Sequence, residues 1–496
     1  MLRRVLCVVM LCAVTLGGAT LASAQSAPQP PPQAVPAPVV PAAAPSDKPD
    51  AQPQPSAAVV DDDTRLQKLL ADHQYSALEA QLAKLSPDTA QLYRGLLANH
   101  SNDLAQSVSL LEPLVDSVST SGNATQEKLI REALAEDYLR LGDWSKAAEA
   151  YKVFESRFHD KLAADEQDEI EMPLKLLPLV AGNPQMTVEP CDTFRFKVSE
   201  SPLGLIEIPV SVGGRSRNWM LDPTMPFNLI ARSTAREVGL TVSSESATIS
   251  TLTGKPIQIR STVIPRITIG GRLTLRDVTA FVFEDRDYLI SDASYQVEGV
   301  LGFPALAAMG ALTITSDNTA EVRPSTQVDP QAKDDLTSAG TPFYLDGDQI
   351  LVALDRPANP VVNPLPPSSA DAPGQGTTRA GGAEDEQMYA IDPGSQQTYL
   401  TWRYFKEHAV EFIGQKTEMF TPPGGQSPPQ PAYTAKSIAL AAGSTTITLE
   451  SVPVITKPLG SAALDDVYGI LGSDALGQLK SYTFDYRAMR FSAATE

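Results

Sequence analysis

The strongest constraint on the fold of this 496-residue chain is a repeat displaced by 170 positions. Residues 299–306 read GVLGFPAL, and residues 469–476 read GILGSDAL. An apolar run ending in aspartate stands 77 residues before each leading glycine: Leu221-Asp222-Pro223 and Ile391-Asp392-Pro393. Two motifs held at one spacing in both places point to a duplicated unit rather than to two chance turns.

The pattern around these motifs is that of strands. After Cys191 the chain alternates and becomes β-branched, with strands expected at Phe194–Val198, Ile206–Val212 and Asn218–Leu221. Gly213-Gly214 is a hairpin turn. Further strands are expected at Pro256–Thr262, Arg266–Ile269 and Val278–Phe283, with a short helix at Ser233–Val238. The second half repeats the plan. A helix is expected at Trp402–Glu407 and another around Ala475–Leu479, with a closing strand Tyr482–Asp485 that matches Leu312–Thr315 in the first half.

This arrangement resembles the aspartic protease family, of retropepsin-like and pepsin-like fold. Each lobe of that family has a strand ending in Asp-[Thr/Ser]-Gly-[Ser/Ala/Thr] and a later strand ending in apolar-apolar-Gly. Lobe one reads Asp222-Pro223-Thr224-Met225 with Gly299-Val300-Leu301-Gly302. Lobe two reads Asp392-Pro393-Gly394-Ser395 with Gly469-Ile470-Leu471-Gly472. The resemblance covers about 300 residues. It implies two lobes in one chain, 190–330 and 335–496, with Asp222 and Asp392 as the catalytic pair. Pro223, Thr224, Pro393, Gly394 and Ser395 then form the supporting loops. Two carboxylates close together share a proton, so that one activates a water and the other protonates the scissile carbonyl. No metal and no cofactor is implied.

The motifs also depart from the family pattern. Pro223 and Pro393 lack the hydroxyl and the N–H that the family residue supplies. Thr224 replaces a glycine, and threonine tolerates a positive φ poorly. Between Asp222 and Asp287 there is no tyrosine or tryptophan to serve as an aromatic flap residue. Asp-Pro on its own is an ordinary turn signal. Two readings therefore stand: an aspartic-type endopeptidase, or an inactive pseudoprotease that binds extended peptides by strand pairing.

The segment before the lobes is different. Arg3, Arg4, the apolar run Val5–Thr15 and Ala22-Ser23-Ala24 read as a secretory signal over 1–24, with an uncleaved membrane anchor as the alternative. Export to a periplasm or beyond is the expectation. Residues 25–60 are a Pro/Ala-rich linker that cannot bury enough apolar area to fold. Of the 41 prolines, 22 fall in residues 28–55, 357–373 and 422–431, which marks 357–385 as an insertion in lobe two and 421–431 as a loop.

Residues 61–180 have a helical apolar period. The unit Tyr138-x3-Gly142-x4-Ala147-x3-Tyr151 resembles a tetratricopeptide (TPR) repeat, in which the glycine reverses the chain and the alanine lets two helices meet. Weaker pairs are expected at 92–111 and 64–85, with Asn102-Asp103 and Ser145 at turns or caps. A plain helical bundle or spacer is the alternative. The fold class expected is thus multidomain: an all-β bilobal aspartic-protease-like unit preceded by an α-helical TPR-like domain.

Composition narrows the function. A net charge of −20 argues against a nucleic-acid binder. Signal cleavage would leave Cys191 as the one cysteine, so no internal disulfide can form. His73, His100, His159 and His408 are too few for a histidine-based centre, and His408 reads as a surface residue. No segment after the signal has the ~18 consecutive apolar residues of a membrane span. The expected partners are a peptide or protein substrate and a protein partner on the helical repeats, with the chain itself monomeric.

Overall fold

The computed structural model describes residues 57–495, apart from 203, 251–255, 288, 291–294, 327–339, 348, 357–385, 394, 423–428 and 461. The signal segment, nearly all of the Pro/Ala-rich linker and the 357–385 insertion lie outside the described residues.

The N-terminal region is helical: α1 (Ala57–Ala71), α2 (Tyr75–Leu82), α3 (Pro87–His100), α4 (Leu104–Leu111), α5 (Val115–Ser121), α6 (Ala124–Arg140), α7 (Trp144–Phe158) and α8 (Ala164–Leu176). The pairs α1–α2, α3–α4 and α6–α7 each reverse over a residue in the left-handed region: His73 (φ 55°), Asn102 (φ 54°) and Gly142 (φ 68°). Asp103 and Asp143 then cap the following helices, accepting from the backbone N–H of Gln106 and Lys146. The cap before α7 is therefore Asp143, and Ser145 lies inside the helix. Fully buried Ala147 and Gly95 let neighbouring helices approach, since a Cβ on Gly95 would collide with Leu111.

In the first β half, Arg215–Leu221 leads to Asp222. It pairs antiparallel with Ile206–Val212 across the Gly213-Gly214 turn. The short strand Gly299–Leu301 is inserted between Arg215–Leu221, to which it runs parallel, and Asn228–Ala231, to which it runs antiparallel. Asn228–Ala231 runs parallel to Leu273–Phe283. That strand pairs with Pro256–Ile269, which returns to Ile206–Val212 and closes the sheet on itself.

The two strands expected at 256–262 and 266–269 are one strand of 14 residues. Pro265 has no N–H to donate. The ladder steps over it, and Asp277 takes φ 55° opposite, so the strand bends without breaking.

The second half repeats this plan. Met388–Ile391 leads to Asp392, and Gly469–Leu471 is inserted between it, to which it runs parallel, and Tyr399–Leu400, to which it runs antiparallel. The long hairpin Gln430–Ala442 with Thr445–Ile455 also skips one ladder position, with Ser451 at φ 56°. The halves join where Ala311–Thr315 pairs with Ser481–Asp485. This shared sheet continues through Thr319–Arg323 to Phe194–Lys197 on one side, and through Arg490–Ala494 to Thr341–Asp346 on the other.

The helices do not stand apart from the sheets. Their apolar core runs on into both halves. The Trp144 ring lies 6.2 Å from that of Phe227 in the first half, and Tyr75 lies 4.3 Å from Tyr344 in the second.

Candidate active site

Each aspartate is fixed by its neighbouring strand. The Asp222 N–H donates to the Leu301 carbonyl and the Asp392 N–H to that of Leu471, both at 3.0 Å. The loops then turn back in the same way. Met225 N–H donates to the Asp222 carbonyl at 3.3 Å, and Ser395 N–H to that of Asp392 at 3.0 Å. Phe303 N–H meets the Met225 carbonyl at 2.8 Å, and Ser473 N–H meets that of Ser395 at 2.7 Å.

Gly302 and Gly472 make this approach possible. A Cβ on Gly302 would stand 2.6 Å from the Met225 carbonyl oxygen, and one on Gly472 would stand 2.6 Å from that of Ser395. Their N–H groups donate to Asn228 Oδ1 (3.1 Å) and Thr398 Oγ1 (3.0 Å), side chains that are again 170 positions apart. The glycine motif seen in the sequence is thus the seat on which each aspartate loop rests.

The two loops differ in detail. Asp222 is buried, with 1% of its surface exposed, whereas Asp392 is half-buried. Asp222 Oδ1 accepts from the Thr224 backbone N–H at 3.0 Å and from the Thr224 hydroxyl at 2.7 Å. Its Oδ2 is buried with no hydrogen-bond partner among the described residues. Burial pushes the Asp222 carboxyl above its ordinary value, and the hydrogen bonds from Thr224 and Met225 offset this only in part.

Thr224 corrects an expectation. It is not among the described residues with positive φ, so the glycine of the family pattern is not needed there. Its hydroxyl also supplies the side-chain donor that Pro223 lacks, one position later. The signal is present in the sequence, since threonine two residues after aspartate makes a local hydrogen bond to it. In lobe two, Ser395 is buried and its hydroxyl donates to the Gln397 carbonyl at 2.8 Å. Pro393 is half-buried, and Gly394 lies outside the described residues.

Among the described residues no group of three or more His, Cys, Asp or Glu is placed to hold a metal ion. Nor is any described helix long and apolar enough to cross a membrane. His408 is not a free surface residue. It lies 3.3 Å from Glu411 and 3.1 Å from Arg356, in an ion-pair cluster packed on Tyr404.

Residues 208–305 match the family model described as aspartyl protease. This part of the chain is an aspartic-protease-like domain. The matched span begins inside Ile206–Val212, takes in Asp222 and Gly302, and ends in the helix Phe303–Met309. Among solved structures, the chain is similar to a retropepsin-like aspartic protease from Rickettsia conorii, with 12% identity and TM-score 0.19 over 28% of this chain and 95% of that one. It is also similar to basic 7S globulin from soybean, with 11% identity and TM-score 0.33 over 62% of this chain and 97% of that one. No curated protein matches the sequence.

Proposed function

We propose that the chain is an exported aspartic-type peptidase whose catalytic pair is Asp222 and Asp392. The observation that carries this reading is the equivalence of the backbone hydrogen bonds in the two aspartate loops, within one protein that has an aspartic-protease-like domain. The environments suggest the roles. Asp222, raised by burial, is the carboxyl that keeps its proton. Asp392, more exposed, is the base. It takes a proton from a water whose oxygen bonds to the peptide carbonyl carbon, while Asp222 gives its proton to the carbonyl oxygen. Collapse of this diol breaks the C–N bond, and the amine leaves with a proton from the pair.

The test is cleavage of an unfolded protein across acid and neutral pH, with and without a statine-type transition-state inhibitor. Inhibitable acid cleavage supports the proposal, and no cleavage at any pH removes it.

A second reading has its own observation. Oδ2 of Asp222 is shut away from solvent and has no hydrogen-bond partner among the described residues, and both prolines remove donors from the loops. A pseudoprotease that holds peptides without cutting them fits these facts. Peptide affinity without turnover would favour it. The TPR-like character of the helices, export by the N-terminal signal and a monomeric state belong to the same proposal.

A further inference from the structure

The helical region and the Asp222 loop together line a partly open chamber of about 460 Å³, within the range that holds a drug-sized molecule or a few peptide residues. Helices α1, α3, α6, α7 and α8 supply most of the wall. Lobe one contributes Pro223, Thr224 and Pro226, and lobe two contributes Leu345, Asp346, Gly347 and Asp466.

The helices are fastened across both lobes. Gln74 bonds the Glu386 backbone twice, donating to its carbonyl at 2.9 Å and accepting from its N–H at 2.8 Å. His100 Nδ1 lies 2.7 Å from the Leu345 carbonyl oxygen. On the other lobe, the Ser261 hydroxyl donates to the Leu179 carbonyl at 2.9 Å.

The wall has a definite charge. The lining carries four carboxylates, Glu132, Glu136, Asp346 and Asp466, against one arginine, Arg140, and His73 and His100 lie 3.9 and 3.8 Å from Asp346. Arg140 is turned into the wall itself, on Glu136 at 2.9 Å and on the Asn99 carbonyl at 2.8 Å. Burial pushes the Asp466 carboxyl up. Arg403 is the strongest single charge opposing this, while Asp465, Asp72 and Asp346 add to it. Tyr75, Tyr151, Phe154 and Phe303 line the same space, and aromatic rings attract cations.

We infer that this chamber is a binding site for short peptides carrying a cationic side chain, with the helical region as its selecting wall. The inference rests on the peptidase reading only in taking peptide as the ligand. Thr224, in the chamber wall, is hydrogen-bonded to Asp222, so a peptide seated there would lie against the candidate catalytic loop.

The experiment is calorimetric titration of the full chain carrying Asp222→Asn, at pH 7.5, with Ac-Ala-Ala-Lys-Ala-Ala-NH2 and its Glu counterpart. The lysine peptide is expected to bind at least about ten-fold more tightly, since a pair of charges in a partly enclosed site interacts several times more strongly than in water. Glu136→Gln with Asp346→Asn should bring the ratio close to unity. Asp346→Glu should keep it, and so should Glu418→Gln with Glu450→Gln, which remove exposed charges elsewhere. Equal binding of the two peptides, binding of neither, or a ratio unmoved by the chamber variants overturns the inference. Cation-selective binding by a wild type that cleaves nothing would remove the peptidase reading alone. Cleavage without charge preference would remove this inference alone.

Discussion

The hydroxyls of Thr313 and Thr483, 170 residues apart in sequence, meet at 2.7 Å across the strands that join the two halves. Around them the register is self-complementary: Ala311 pairs with Asp485, and Thr315 with Ser481. Adding 170 to one member of each pair gives a member of the other. The halves are therefore related by a pseudo-twofold axis through this threonine pair, and the same sequence offset carries the Asp222 loop onto the Asp392 loop.

Replacing both hydroxyls, Thr313→Val with Thr483→Val, removes one side-chain hydrogen bond at the axis. The expected loss is about 1 kcal/mol, read as a lower denaturant midpoint with unchanged m. Each single variant strands one hydroxyl, so the double variant should lose less than the sum of the singles.

Gly302→Ala and Gly472→Ala should each lower thermal stability, because the added methyl meets loop backbone rather than a movable side chain. Overpacking of this kind costs about 1–3 kcal/mol. Differential scanning fluorimetry will read it, and a pair of alanine variants with wild-type melting would refute the close packing of the loops.

Thr224→Val keeps the backbone N–H to Asp222 and removes the hydroxyl donor. The hydroxyl lowers the Asp222 carboxyl against the rise caused by burial, so its loss moves that carboxyl further up. In the proposed mechanism Asp222 must carry the proton, and activity falls as pH rises through its titration. The alkaline limb of the pH–rate profile should therefore shift upward in Thr224→Val and stay in place in Thr224→Ser.

Asp137 in α6 is buried and pushed up to about 6, chiefly by burial, although Ser107 and Asn99 both donate to it. A carboxyl raised in the folded state favours folding at low pH and weakens it as pH rises through about 6. Asp137→Asn should thus raise the melting temperature at pH 8, by up to about 3 kcal/mol of stability, and the gain should vanish near pH 4.

The parts of this fold that were legible in the sequence are those set by short-range sterics. Gly299, Gly302, Gly469 and Gly472 marked the lobes because a side chain there would strike Trp219, the aspartate loops or Leu400. The helix pairs were legible because Gly142 and Asn102 permit the left-handed turn, and the spacing of buried aromatics did the rest. His73, an equivalent turn residue, carried no such signal. What was hidden depends on contacts between distant segments. Trp144 on Phe227 and His100 on the Leu345 carbonyl leave no period or motif, so the placement of the helices against the Asp222 loop came only from the structure. At Thr224 the family pattern points to the backbone, whereas the hydroxyl makes the contact with Asp222.

In the proposed mechanism Asp222 and Asp392 act as one unit, and a double-mutant cycle in peptide cleavage at acid pH tests this most directly. Groups that share one proton are strongly non-additive. Asp222→Asn and Asp392→Asn should each lower kcat by about 10²–10⁴-fold, and the double variant should be no worse than the weaker single. Independent losses that multiply in the double variant, or cleavage that survives either substitution, would contradict a shared pair.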